Sequence, residues 1–331
     1  MTHKTHLLLA LIVWVGFGPY ACAEEKTAPE ETPPKELRAK AEKGDADAQS
    51  KLAFMYLEGV GVPKDKAEAL KWWLKAAEQG HVNSQRNLGV AYAKGLGVLK
   101  DEAAAVKWWR KAAEQGDVDS QRYLGVAYVD GLGVPKDHVE ALKWYRKAAD
   151  QGDARSQYNV GIMHNSGSGV PKDKAEALKW YRKAADQGHV YSQYNVGVMY
   201  ANGEEVPKDE AEAVKWYRKA AEQGDVDGQR ALGKMYSNGH GVPKDDAEAV
   251  KWYRKAAEQG DVDAQYGLGL NYALGEGVPK DDVLAYKWIL LAGAKREKSR
   301  EIIPEIEKSL TPEQRAEGQK LARDFKPVIQ K

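Results

Sequence analysis

Seven tryptophans, Trp72, Trp108, Trp144, Trp180, Trp216, Trp252 and Trp288, stand 36 residues apart. Indoles are the material of aromatic cages and interface hot spots. These, however, recur in every copy on an otherwise small, apolar face, which is the pattern of packing rather than of a ligand site. Loops of the form Gly-x-Gly-Val-Pro-Lys run between them, but no strand precedes the loops and no G-x-x-x-x-G-K-[ST] occurs, so a phosphate cradle is not expected. No serine has a lysine three residues later, which excludes the S-x-x-K pattern of β-lactam-directed serine enzymes. His81, His138, His164, His189 and His240 are scattered along the chain without an H-E-x-x-H pair, and the single cysteine, Cys22, excludes a cysteine-rich zinc site or a disulfide framework. Acid pairs are plentiful, yet they recur in each unit as helix caps and outer-face charges, whereas a catalytic dyad would be unique. The expectation is a chain without catalytic residues, metal or cofactor.

The elements that carry these residues are repeats. Gly44, Gly80, Gly116, Gly152, Gly188, Gly224 and Gly260 keep the 36-residue interval, as do Gln49, Gln85, Gln121, Gln157, Gln193, Gln229 and Gln265, so residues 45–296 hold seven units. Within a unit, glycine after the run KAAEQ reads as a helix stop, and Asp65 with Glu68 reads as a capping box. Two helices per unit follow, Ala46 to Leu57 and Lys66 to Gln79 in the first copy, separated by Gly59, Gly61 and Pro63. One such hairpin is too small to fold alone, and stacking buries the shared apolar faces, which predicts an all-α solenoid of helix-turn-helix repeats.

The unit GDADAQSKLAFMYLEGVGVPKDKAEALKWWLKAAEQG and its six relatives closely resemble the Sel-one-like repeat, a tetratricopeptide-related motif distinguished by its length and its Gly-x-Gly loop. That resemblance implies a right-handed superhelix serving as a protein-interaction scaffold, with first helices lining the concave surface and second helices the convex one. It also implies, for secreted bacterial members, roles at the cell envelope, in signalling or in host contact. Three departures stand out: Leu99 replaces the loop proline, Glu205 a loop glycine, and His164 the first-helix tyrosine.

The copies, compared with one another, separate the positions that the fold dictates from those it leaves free. Gln49, Leu52, Ala53 and Tyr56 mark nearly constant positions at offsets of 0, 3, 4 and 7, one helical face. The positions of Asp47, Ser50, Lys51, Phe54 and Glu58 vary and lie opposite. In the second helix Ala69, Trp72, Ala76 and Ala77 are nearly fixed, while Lys71, Lys75 and Glu78 form a charged outer face. In units four and five the variable stripe holds Tyr158, Asn159, Tyr191, Tyr194 and Asn195, with Arg122 and Arg155 in the same register. Tyrosine and arginine offer broad contact surfaces with polar handles, so these seven residues are the candidate binding site.

Lys+Arg 50 against Asp+Glu 49 gives +1, and a mean hydropathy of −0.65 excludes a polytopic membrane protein. No nucleic-acid partner is expected from so balanced a chain. Residues 1–23 read as a secretory signal peptide, with Lys4, the apolar run Leu7 to Phe17, and cleavage after Ala23 at Ala21-Cys22-Ala23; lipidation of Cys22 lacks the expected aliphatic residue three places earlier. Residues 24–36 read as a disordered spacer, 37–44 as a partial helix capping the array, and 297–331 as capping helices, the last opening at Thr311-Pro312-Glu313-Gln314. The expected protein is a periplasmic or secreted monomer that binds a protein or peptide partner in a groove. Two other readings compete with it: a cell-wall-active enzyme or β-lactam or glycan binder, and a structural spacer.

Overall fold

Alternation of short helices fills the computed structural model, which describes residues 34–328; the expected signal peptide and residues 24–33 of the spacer lie outside the described residues. Among the described residues there are seventeen helices and no strand. The first helices of the units are α2 (Ala46–Glu58), α4 (Val82–Lys94), α6 (Val118–Asp130), α8 (Ala154–Ser166), α10 (Val190–Asn202), α12 (Val226–Asn238) and α14 (Val262–Leu274). The second helices are α3 (Lys66–Glu78), α5 (Glu102–Glu114), α7 (His138–Asp150), α9 (Lys174–Asp186), α11 (Glu210–Glu222), α13 (Asp246–Glu258) and α15 (Asp282–Gly293). Flanking them are α1 (Pro34–Glu42), α16 (Glu297–Lys308) and α17 (Pro312–Arg323). The chain divides into two bodies, one ending at His81 and one beginning at Val82.

In the first body α1 packs on α2 and α2 on α3. The helix α1 begins at Pro34 rather than at Leu37, so residues 34–36 belong to the cap and not to the spacer. Proline suits a first helical turn, which has no partner for its amide, and Leu37 and Ala41 are buried. Asp65 caps α3 by accepting from the amides of Ala67 and Glu68. The expected reciprocal half of a capping box is absent because the Asp65 amide donates to Tyr56 O at 2.8 Å, and Glu68 instead pairs with Lys71 at 2.9 Å.

In the second body the principal packing joins each helix to its neighbours in sequence, the arrangement of a solenoid, and α17 folds back on α15. Within units two to six the two helices approach closely because the first carries glycine where the second carries an aromatic ring: a Cβ on Gly125 would sit 2.4 Å from the Tyr145 ring, and one on Gly161 2.6 Å from Tyr181. Between units the tryptophans fill the seam. Trp180 packs with Ala141, Tyr145, Val160 and Met163, which come from α7 and α8. In units one to six a lysine three residues on lies over the face of the ring, as where Lys183 Nζ stands 4.0 Å from the Trp180 centroid and Lys219 3.9 Å from Trp216. Unit seven has Leu291 at that position; there Lys287 Nζ stands 4.2 Å from the Trp288 centroid, and Phe325, beyond α17, closes on the same ring at 5.5 Å. Thr311 and Gln314 form the capping box of α17.

Candidate functional site

The invariant glutamines are structural. Gln193 Nε2 donates to Ala185 O, in the last turn of the preceding second helix, at 3.2 Å, and its Oε1 accepts from Gln223 Nε2 at 2.7 Å. The same pair of bonds recurs at Gln121, from Gln121 to Ala113 O and from Gln151 to Gln121, and in the first body at Gln49 with Ala41 O and Gln79. A buried amide satisfied on both atoms locks one unit to the next.

The variable stripe divides in two. Five residues after the N-cap position, several units begin a contact that reaches the N-cap of the following unit. Arg86 meets Asp117 at 2.7 Å, Arg122 approaches Asp153 at 3.8 Å, and Arg230 approaches Asp261 at 3.4 Å. Arg122 is also held by Asp119 at 2.5 Å and is 13% exposed. In unit four the corresponding residue is Tyr158, and it stacks on His189, the N-cap of α10, with ring centroids 4.8 Å apart. The expectation that the fold leaves this stripe alone is therefore corrected at Arg122, Tyr158 and Tyr194, all half-buried. Tyr158 also lies 5.9 Å from Tyr181, and Tyr194 lies 5.7 Å from Tyr217. Burial pushes the hydroxyls of Tyr158 and Tyr194 up from the ordinary phenol range. Asn195 stands within hydrogen-bonding reach of the Tyr158 and Tyr181 hydroxyls, and Asn159 is half-buried beside Tyr158 in α8.

Two of the seven candidate residues face outward without such ties. Arg155 is exposed in the first turn of α8. Tyr191, in the first turn of α10, is 60% exposed and joins Tyr158 and His189 at 6.1 and 5.9 Å. The structure thus brings Tyr158, Tyr191, Asn195 and Arg155 together around one residue that sequence reasoning missed, His189. Desolvation, aided by the Arg155 cation, holds the His189 imidazole down at about 4, so it is neutral at pH 7. The missed signal was positional: His81 and His189 are not scattered but share one place in the unit, where the other five copies have Asp.

His164, in α8, is 4% exposed, and Arg146 Nη2 stands 3.2 Å from its Nε2, just as Arg254 bonds the Tyr272 hydroxyl at 2.7 Å three units on. It acts as the missing tyrosine. His138 and Glu140 stand in an H-x-E spacing at the start of α7, but Glu140 pairs with Lys143 at 3.0 Å, and no group of three metal-ligating side chains occurs among the described residues. No helix among them is long and apolar enough to cross a membrane.

A family model described as Sel1 repeat matches residues 46–81, 82–117, 118–153, 154–189, 190–225, 226–261 and 262–295. The crystal structure of a Sel1 repeat protein from Oxalobacter formigenes is similar at 34% identity and a TM-score of 0.70, over 82% of this chain and 79% of that one. A protective antigen present in uropathogenic Escherichia coli strains, whose crystal structure displays an SLR fold, is 34% identical with a TM-score of 0.59, over 88% of this chain and 71% of its own. No curated protein matches the chain.

Proposed function

The chain belongs to the Sel1 repeat family, whose members are non-catalytic scaffolds for protein–protein interaction, and from that premise we propose that it is an exported scaffold binding a protein or peptide on the first-helix face of units four and five. One observation carries the placement. Arg155 and Tyr191 stand exposed beside an aromatic cluster there, whereas Trp144, Trp180 and Trp216 of the second helices are buried and lysine-covered. In the tetratricopeptide-like arrangement the first helices line the concave side, which encloses a ligand. Export is supported by the apolar run Leu7 to Phe17 and the Ala21-Cys22-Ala23 site. N-terminal mass spectrometry of the protein recovered from its native host checks it: a chain starting at Glu24 agrees, and an intact Met1 or an acylated Cys22 does not.

The binding surface is tested by affinity capture from an envelope extract with three forms of the protein. Tyr158→Ala and Tyr194→Ala remove packed rings and so lower stability as well as binding. Tyr191→Ala with Arg155→Ala is the cleaner pair, since both side chains are exposed. That pair is expected to lose the captured partner by at least about tenfold, roughly 1.4 kcal/mol, while Lys143→Ala with Lys179→Ala on the second helices retains it. The opposite result assigns function to the charged outer face.

A further inference from the structure

The charge pattern of the first helices changes at units four and five. Helices α8 and α10 contain no aspartate or glutamate, whereas α6, α12 and α14 each place an aspartate in the first turn, at Asp119, Asp227 and Asp263. Those acids do local work: Asp119 holds Arg122, and Asp227 and Asp263 bracket Arg230. Helix α4 also lacks an acid, but its Arg86 is neutralised by Asp117. The aspartate position of the first turn is taken by Arg155 in α8 and Tyr191 in α10, and the N-cap carboxylate of α10 is replaced by His189. Arg155 pairs with no carboxylate among the described residues. The result is an exposed, uncompensated guanidinium beside a wall of three rings, Tyr158, His189 and Tyr191, between flanks where every arginine of the rung is already paired with acid.

Building on the proposed binding surface, we infer that its occupant is an extended acidic peptide segment, with a carboxylate on Arg155 and a neighbouring apolar or aromatic side chain against Tyr158 and Tyr191. A guanidinium takes a carboxylate in a bidentate fork, and neighbouring tyrosines supply apolar area that partly shields the pair from water. The flanking aspartates, Asp119 on one side and Asp227 on the other, would repel an acidic ligand that slid out of register and so fix its position.

The test is selection of a displayed random dodecapeptide library on the full chain, followed by fluorescence anisotropy with the enriched peptides in synthetic form. Enriched sequences are expected to be net negative, with an acid next to an apolar or aromatic residue. Replacing that Glu or Asp by its amide should weaken binding at least about tenfold. Arg155→Glu should do the same, and a lysine in place of the peptide acid should restore binding to Arg155→Glu but not to the wild type. Thermal melts of Arg155→Glu and Tyr191→Ala confirm that the variants stay folded. Neutral or basic enriched peptides that are lost with Tyr191→Ala would overturn the acidic assignment and leave the binding surface in place. Peptides lost only with Lys143→Ala and Lys179→Ala would overturn both, nucleic acid bound in preference to peptide would overturn the assignment, and so would failure to enrich any sequence.

Discussion

The ring of Tyr158 lies 4.8 Å from that of His189, at the place where Arg122 meets Asp153 one unit earlier and Arg230 meets Asp261 two units later. An ion pair across the seam has been exchanged for an aromatic stack, both members at once. The exchange keeps the helix cap, since His189 Nδ1 accepts from the Ser192 amide at 3.3 Å, as Asp153 accepts from Ser156 at 2.7 Å. A neutral imidazole can do this and a protonated one cannot.

The first prediction concerns pH. The native His189 titrates at about 4, below the ordinary histidine value of 6.5, through desolvation and the Arg155 cation, with Asp153 opposing. Its stability contribution is complete above the unfolded value. Between the two values the unfolded chain takes up a proton that the native chain refuses, so stability falls as pH falls, by about 3 kcal/mol in all. Proton NMR of the His189 ring should show a midpoint near the lower value. His189→Asp, which restores the cap used by five other units, should flatten the pH dependence of unfolding between pH 6.5 and 4; equal slopes for both proteins would refute the assignment.

A second prediction follows from the glutamine ladder. Gln193→Leu leaves the Ala185 carbonyl without the side-chain donor and Gln223 without its acceptor in a buried setting, and should cost about 1–3 kcal/mol. Gln223→Leu, on an exposed residue, should cost distinctly less. Urea unfolding monitored by helical circular dichroism ranks the two, and equal losses would mean that the ladder is not held by its buried member.

Much of this architecture was legible because each unit repeats the same local chemistry. Period 36, the Asp caps, the glycine stops and the buried Gln49 and Trp72 positions are all read one position at a time. The rungs were not legible that way. Arg122 with Asp153, or Tyr158 with His189, are pairs 31 residues apart in the chain, and the first member of each, taken alone, looks like free variation. The exchange from Arg and Asp to Tyr and His was present in the sequence, but only a comparison of positions in pairs exposes it. Phe325 escaped for a different reason: its residue type and the Leu291 it compensates lie outside the repeating pattern, so nothing in the copies announces their meeting over Trp288.

The third prediction uses backbone strain. Glu205 is the one residue other than glycine with a left-handed backbone among the described residues, at φ 60°. Its counterparts Gly169 and Gly241 sit at 72° and 68°, and a Cβ there would come within 2.4 and 2.3 Å of backbone atoms at the start of the preceding second helix. The fold asks for glycine at this point, and the chain supplies a side chain, with Glu204 tied to Lys174 at 2.7 Å beside it. Glu205→Gly should therefore stabilise the protein by about 1 kcal/mol. Gly169→Ala should destabilise it by more than that, since it adds both strain and a clash. Thermal melts of the two variants check the signs, and a neutral or destabilising Glu205→Gly would show that the loop has relaxed around glutamate.

The last prediction asks whether damage stays local. Trp180 is 6% exposed, its indole nitrogen donates to Glu176 Oε1 at 2.9 Å, and its ring fills the seam formed with α7 and α8. Trp180→Ala removes a large buried side chain and should cost on the order of 3–5 kcal/mol at that seam. In a globule such a loss lowers the stability of the whole cooperative unit. In the second body each helix packs chiefly on its neighbours in sequence, so the loss should be felt first by α7, α8 and α9 and fade along the array. Native-state hydrogen exchange with peptide-level mass spectrometry distinguishes the cases. Amides of α7 to α9 should exchange faster by orders of magnitude while those of α13 and α14, bounded by their own seam at Trp252 and Leu268, keep most of their protection. An equal rise in exchange from α4 to α15 would mean that the repeats unfold as one, and that Trp180 holds the whole second body rather than its own seam.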